Sequence, residues 1–347
     1  MIIPARNEEA NIARVVRSIA AQGGVPLEII VADDQSEDRT AAIVERLKAE
    51  IPSLVLLRVD LLPEGWMGKA HALACAAKIA RGHWLLFTDA DTEHLPGSLE
   101  ATLDRAERQS IDLLSLSPGQ LTPTWWEKAI IPLVYVNLAR LFRFEDVNDP
   151  ASPAAAANGQ YILVRSEVYR RVGGHQVVRD ALLEDVEMAR HVKSAGGRLL
   201  FLPGAQWVRT RMYRSFGEMW RGWTKNLYLL YGGKAPRILF AVLENCFLDI
   251  LPLAAAIAAA FAGLLFNSGL LLLLAGSLAV FMTARVLGYR RALQRLGFDT
   301  SLENYRILGA VLFSALLLNS LGAHCLRGRV EWKGRTYVAK NRSLEVQ

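Results

Sequence analysis

Two aspartates one residue apart, Asp89-Ala90-Asp91, close the apolar run Trp84-Leu85-Leu86-Phe87-Thr88. In an extended chain residues i and i+2 project to the same side, so both carboxylates can address one point. Two adjacent carboxylates repel. A hard divalent cation, Mg or Mn, relieves that repulsion while bridging the phosphates of a substrate. A D-x-D alone is common in solvated loops, so its company matters. Asp33-Asp34-Gln35-Ser36 ends an earlier apolar run and leads into Asp38 and Thr40, suited to capping the next helix. Pro4-Ala5-Arg6-Asn7-Glu8 ends the first run. Gly65-Trp66-Met67-Gly68-Lys69 enters a helix, where glycines let the backbone approach a phosphate and Lys69 adds charge. His71, on that helix, reads as filler rather than ligand.

The elements that must position these residues alternate in type. Asn11 to Ala20 places Ile12, Val15, Val16 and Ile19 at helical spacing. Leu27 to Ala32 predicts a buried strand, Thr40 to Ala49 a helix and Leu54 to Val59 a strand. Lys69 to Ala80 predicts an alanine-rich helix, Trp84 to Thr88 a strand, and Pro96 to Arg108 a helix. Such repeats imply an α/β fold with a mixed, mainly parallel sheet flanked by helices, whose ligands bind beyond the carboxyl ends of the strands. The acidic clusters fall at those ends. Further on, Tyr161 to Val164 predicts a strand, and helices follow from Ser166 to about Gly173, Leu183 to Ala195 and Ser215 to Tyr231.

Charge distribution sets the rest of the organisation. The 347 residues carry 40 Lys+Arg against 34 Asp+Glu, a net +6. Yet from Ile238 to Ala284 there are 47 residues without a Lys or Arg, with only Glu244 and Asp249 as acids. With 52% hydrophobic residues and a mean hydropathy of +0.20, a wholly water-soluble enzyme is excluded, as is a disordered chain. Ile250 to Phe266 and Gly269 to Ala284, separated by Asn267-Ser268, predict a tight transmembrane hairpin, and Ile307 to Leu326 a third apolar helix. Trp125 and Trp126 open a shorter apolar stretch that reads as an interfacial amphipathic helix over about 122–144. Arg285, Arg290, Arg291, Arg295 and Arg306 place the loop after the hairpin on the cytoplasmic side. The basic residues after the third segment, from Arg327 to Arg342, would then emerge outside if that segment crosses; re-entry or a flat orientation is the alternative. Cys75, Cys246 and Cys325 show no paired spacing, which excludes a disulfide scaffold or structural zinc. The arginines cluster beside apolar segments, which fits a membrane surface and not nucleic acid.

Taken together, P-A-R-N-E, the Asp33-Asp34 pair and the D-x-D resemble the nucleotide-sugar-binding half of family 2 glycosyltransferases, with the GT-A fold. The resemblance implies a nucleotide-sugar donor held by Pro4, Ala5, Arg6, Asn7, Glu8, Asp33, Asp34, Lys69, Asp89, Ala90 and Asp91. Asp33 and Asp34 would face base and ribose in an undecided order. Asp91 would be the principal metal ligand, with Asp89 near the ribose or metal. The family's E-D pair corresponds to Glu184-Asp185, so Asp185 would be the general base of an inverting transfer, with Glu184 as its understudy. The last motif, (Q/R)-x-x-R-W, is half present: Arg221 fits the arginine, Glu218 stands at the Gln/Arg position and Gly222 replaces the tryptophan. Arg221 would stabilise the leaving diphosphate, in competition with Lys225, Arg211 and Arg214. Trp223, with Trp220, would line the acceptor site.

G-W-x-G-K, Val147-Asn148-Asp149-Pro150, Ala157-Asn158-Gly159-Gln160, Gly222 to Asn226 and Arg329 to Tyr337 are similar to hopene-associated, carotenoid and, more distantly, ceramide glycosyltransferases. Such proteins begin with a membrane helix before P-A-R-N-E, and a chain opening at Met1-Ile2-Ile3-Pro4 is expected to lack it. The expectation is therefore a multi-pass enzyme of the cytoplasmic membrane with its catalytic domain facing the cytoplasm. It would move a sugar from a UDP-type donor to a hopanoid, carotenoid or sphingolipid-like acceptor. The expected domains are 1–237 catalytic, 238–326 membrane and 327–347 a basic tail. A polyprenyl-phosphate glycosyltransferase and a noncatalytic nucleotide-sugar-binding membrane scaffold are the alternatives.

Overall fold

The computed structural model describes residues 1–332 and 335–338. In chain order its elements begin β1 (Ile2–Ala5), α1 (Ile12–Ala20), β2 (Ile29–Asp33), α2 (Thr40–Leu47) and β3 (Leu54–Arg58). There follow α3 (Gly68–Ile79), β4 (Trp84–Phe87), β5 (Thr92–His94), α4 (Ser98–Arg108), β6 (Leu113–Ser117), β7 (Gly119–Gln120) and α5 (Trp125–Leu141). Next come α6 (Phe144–Asn148), β8 (Ile162–Arg165), α7 (Ser166–Arg171), α8 (Glu184–Ser194), β9 (Leu199–Pro203) and β10 (Val208–Thr210). The helices α9 (Phe216–Leu230), α10 (Ala235–Asn245), α11 (Leu251–Leu265), α12 (Gly269–Arg295) and α13 (Arg306–Gly322) complete the helical set. A hairpin of β11 (Arg329–Trp332) and β12 (Arg335–Val338) closes the described chain. The chain divides into two compact units, one of Met1–Leu121 with Phe142–Met212, the other of Thr122–Leu141 and the chain from Tyr213 on.

In the first unit a seven-stranded sheet has the order β3-β2-β1-β4-β8-β6-β9. Only β8 runs antiparallel, paired with β4 and β6; the other pairings are parallel. Period-two alternation sends Ile2, Ile30 and Ala32 to one face and Ile3, Ala5, Ile29 and Val31 to the other. The first face is covered by α3, whose Ala72, Ala76 and Ala77 let it lie close on the strands. The second is covered by the Ile12, Val15, Val16 and Ile19 stripe of α1. Strand order reverses between β1 and β4, and such a switch opens a crevice at the carboxyl ends of the strands. Both Arg6-Asn7-Glu8 and Asp89 leave the sheet there. The strands β5, β10 and β7 form a second small sheet.

The second unit is helical. Three of its stretches, Ala235–Leu265, Gly269–Arg295 and Thr300–Arg327, are long and apolar enough to cross a membrane. In the α11–α12 hairpin, a Cβ on Gly263 would lie 2.9 Å from Leu272 Cγ, so the absence of a side chain sets the close approach of the two helices. One surface expectation changes. Residues of α5 from Trp126 to Asn137 are buried around the helix, Pro132 included, so it packs inside the unit instead of resting one face on water. Trp125, 55% exposed, at its start and Leu141, 39% exposed, at its end leave only the two ends at the surface. Of the expected basic tail, Lys333, Lys340 and Arg342 lie outside the described residues.

Candidate active site

The first loop of the site is built by cross-bonding two strand ends. Arg6 Nη1 donates to the carbonyls of Asp34 (2.8 Å) and Gln35 (3.2 Å). Asn7 N–H reaches Ser36 Oγ at 3.0 Å, and Glu37 N–H returns to Asn7 Oδ1 at 2.9 Å. Glu8 N–H donates to Thr40 Oγ1 at 2.8 Å. Asn7 and Gln35 both adopt positive φ, 54° and 57°, which marks two tight turns facing each other. Pro4 pairs with Ala32 and Ala5 with Asp33 in parallel register, so these residues serve the sheet as much as the crevice. Asp33 and Asp34 are both buried. Among the described residues Asp33 Oδ1 is buried without a hydrogen-bond partner, an acceptor that a ligand N–H or O–H would satisfy.

The D-x-D lies in a turn just past β4, so the alternation of an extended strand does not apply to it. Its backbone is pinned instead. Thr92 Oγ1 donates to the Asp89 carbonyl (2.8 Å), and Arg14 Nη2 and Thr210 Oγ1 donate to the Asp91 carbonyl (3.0 and 3.3 Å). Ala90 is buried in the core beneath.

Lys69, in the first turn of α3, holds the centre. Its Nζ lies 2.8 Å from Asp89 Oδ1 and 2.8 Å from Glu184 Oε1. Burial works against its charge, but Asp89, Glu184 and Asp185 outweigh that and hold the ammonium well above its ordinary pKa. Asp185, in the first turn of α8, accepts the Gly159 N–H at 2.8 Å through Oδ2 and the Val186 N–H at 2.8 Å through Oδ1. Burial first, then the neighbouring Glu184 carboxylate, pushes its pKa up to about 6 against the pull of Lys69 and these two amides. A carboxylate so tuned is ionised at neutral pH yet basic enough to take a proton in a transition state.

The structure thus brings together Lys69, Asp89, Glu184 and Asp185, and separately joins the P-A-R-N-E segment to the Asp33–Thr40 loop. Sequence reasoning had no role for Thr88, yet this residue ties the first group together. Thr88 Oγ1 donates to the Gln160 carbonyl at 2.8 Å, fastening the end of β4 to the loop whose Gly159 N–H orients Asp185. The signal available was Asn158-Gly159, a turn pair, but nothing local says which carboxylate its amide will meet.

The described residues contain no group of three or more His, Cys, Asp or Glu side chains placed to hold a metal ion. Asp89 already balances its charge against a cation, Lys69, and two carboxylates sharing an ion with substrate phosphates is the usual manner of Mg-type sites. On that test Asp89 and Asp91 fit a divalent ion delivered with a diphosphate.

Arg221, Trp220 and Trp223 lie on α9 in the second unit. Arg221 is exposed. Trp220 stacks on Phe216 with centroids 5.5 Å apart, and Trp223 is buried edge-on against Tyr135 and Tyr213. The two departures from the family motif have structural reasons. Glu218 closes a capping box: Ser215 Oγ accepts its N–H at 3.2 Å, and its carboxylate accepts the Arg214 N–H at 3.0 Å. At Gly222 an added Cβ would fall 2.6 Å from Tyr213 Cε1 and 2.7 Å from Cζ, so the Tyr213 ring fills the space a larger residue would need.

The mixed sheet, with acidic strand ends at its switch point, is that of a glycosyltransferase of the GT-A fold. Residues 1–173 match the model of Glycosyl transferase family 2, so this part of the chain is a domain of that family. It is similar to the 4,4'-diaponeurosporenoate glycosyltransferase of Staphylococcus aureus (strain MRSA252), 29% identical over 343 residues, covering 97% of this chain and 87% of the relative. The protein of the same name from strain USA300 is 28% identical over 342 residues with the same coverage. Among solved structures, the mannosyltransferase PcManGT from Pyrobaculum calidifontis, in complex with GDP-Man and Mn2+, superposes with a TM-score of 0.51. It is 20% identical and covers 90% of this chain and 86% of its own, a likeness of fold.

Proposed function

We propose that the chain is a membrane-bound inverting glycosyltransferase that moves a sugar from a UDP-type donor onto a hydroxyl or carboxyl of an apolar lipid. The nucleoside lies against Pro4 to Glu8 and the Asp33-Asp34 pair, where the partnerless Asp33 oxygen supports a donor N–H or O–H. Asp89 and Asp91 would hold a divalent cation, Mg or Mn, which would supply charge neutralisation at the diphosphate. Asp185 takes the proton of an acceptor hydroxyl as that oxygen bonds to the anomeric carbon. The bond from that carbon to the phosphate oxygen breaks, and the nucleoside diphosphate leaves with the electron pair. Lys69 keeps Asp89 and Glu184 together and holds Asp185 ionised. By the resemblance, Arg221 would neutralise the leaving diphosphate, and Trp220 and Trp223 would line the acceptor site.

The observation that carries this reading is Asp185: oriented by the Gly159 amide and raised to about 6 beside Lys69. The relatives named for diaponeurosporenoate and the three apolar helical stretches support an acceptor that lives in lipid. Membrane attachment with the catalytic unit in the cytoplasm lets the donor arrive from water and the acceptor from the bilayer. An Asp185→Asn variant should bind UDP as wild type does and lose transfer to a hydroxyl lipid by about 10²–10⁴-fold. Unchanged turnover sinks the assignment. Mass spectrometry of lipids from a deletion strain should reveal the missing hexose adduct, and an acceptor that proves to be a phosphate would favour the polyprenyl-phosphate alternative.

A further inference from the structure

The stretch Ala235–Leu265 is one run of 31 helical residues, about 46 Å long at 1.5 Å per residue. A bilayer core is about 30 Å thick, so this helix does not lie wholly in hydrocarbon. Its middle is marked. Asp249, buried, pairs with Arg285 of α12 at 3.2 Å and with Arg306 at the start of α13. The two halves on either side of Asp249 have different company.

After Asp249, the 17 residues from Ile250 to Phe266 carry no charge, nor does Gly269 to Ala284. Their side chains face outward all round: Ile257, Phe261, Leu264, Leu270, Leu273 and Val280 are each more than 60% exposed. That is the surface of a helix pair bathed in lipid, at a length near the lower limit for crossing. Before Asp249, the helix carries Arg237 and Glu244 and packs against α13. Asn245 Nδ2 donates to Ser314 Oγ at 3.2 Å, and the Asp249–Arg306 pair follows, so α13 runs antiparallel to α10 and away from the hairpin. The packed face of α13 is polar where it meets α9: Ser320 Oγ accepts the Tyr228 N–H at 3.0 Å, and Asn319 Nδ2 donates to Thr224 Oγ1 at 2.7 Å. Only one stripe, Leu308, Val311 and Leu318, is left exposed.

We propose that the α11–α12 hairpin alone crosses the bilayer, and that α13, packed along α10, extends beyond the hydrocarbon core on the side of the Asp249–Arg285–Arg306 cluster instead of crossing. This placement also removes the conflict in charge. Arg285, Arg290, Arg291, Arg295, Arg306 and Arg327 then all stay on one side, as the bias of basic residues toward the cytoplasm requires. It does not depend on the catalytic reading.

Cysteine labelling with a membrane-impermeant maleimide, in right-side-out and inside-out vesicles, tests it. Cys325, exposed just beyond α13, is read in a Cys75→Ser, Cys246→Ser background. With Cys325→Ser added, Ser301→Cys reads the loop before α13 and Ser268→Cys the hairpin tip, with Asn267→Cys as substitute if that variant fails to accumulate. Cys325 and the 301 position should react from the same side, and the tip from the other. Cys325 reacting from the side of the tip, all three reacting from one side, or Cys325 reacting only after detergent overturns the proposal.

Discussion

The Lys69 ammonium lies 2.8 Å from a carboxylate oxygen of Asp89, where a divalent ion is expected to act. On the proposed reading, Lys69 and that ion would share one carboxylate. In Lys69→Met, turnover should fall about 100-fold, because Asp89, Glu184 and Asp185 are left facing each other unneutralised. Half-saturation by Mg should shift the other way, roughly tenfold lower, since a competing charge has gone. Kinetics over a Mg titration check both, and weaker metal activation would contradict the shared carboxylate.

The pH profile follows from Asp185. Its pKa is raised to about 6, so below that value the base is protonated and cannot accept the acceptor's proton. With a hydroxyl lipid, log(kcat/KM) should climb with unit slope up to about pH 6 and then level. Lys69→Met should move this limb upward, because the lysine charge pulls the Asp185 pKa down. A carboxylate lipid arrives without that proton, so its profile should lack the limb, and Asp185→Asn should spare it.

Gly159 is a position where one methyl group separates geometry from folding. An added Cβ would sit 2.8 Å from Lys69 Nζ and 3.4 Å from Asp185 Oδ2. The lysine tip can move, so Gly159→Ala should melt within a few degrees of wild type. Its kcat should nonetheless drop at least about tenfold, because the displaced ammonium no longer holds the carboxylates. Equal losses of Tm and activity would point to a merely structural glycine.

Gly222 tests the altered motif. Restoring bulk there drives a side chain into the Tyr213 ring, 2.6 Å from Cε1. Overpacking of this kind costs about 1–3 kcal/mol, so Gly222→Ala should unfold at lower temperature in detergent. In a Tyr213→Ala background, itself destabilised by loss of a buried ring, adding Gly222→Ala should cost little further. No change in either thermal scan would mean the ring moves aside freely.

The repeating elements of the first unit were legible because apolar period and short loops are local properties. Predicted helices at Asn11 to Ala20, Thr40 to Ala49 and Lys69 to Ala80 match α1, α2 and α3 to within two residues at either end. The strands β6, β9 and β10 escaped notice, being short runs whose partners are remote in sequence. Antiparallel β8 was found as a strand, but its direction depends on β4 and β6, which lie on either side of it. The burial of the α5 helix is hidden from the sequence for a related reason. Trp125 and scattered cations suggest a water-facing side, while neighbouring helices bury its middle all round.

By itself the sequence determined the chemistry: acids at strand ends, a lysine at a helix start, an E-D pair at another, and a long stretch without cations. Residue type and local period suffice for that. Only the tertiary structure decided who meets whom. It put Lys69 between Asp89 and Glu184, turned the Gly159 amide onto Asp185, and closed Asp249 against Arg285 and Arg306. Those contacts join residues up to 115 positions apart, as from Lys69 to Glu184. Charge attraction and hydrogen bonding act over a few ångströms of space, and only the folded chain sets those distances.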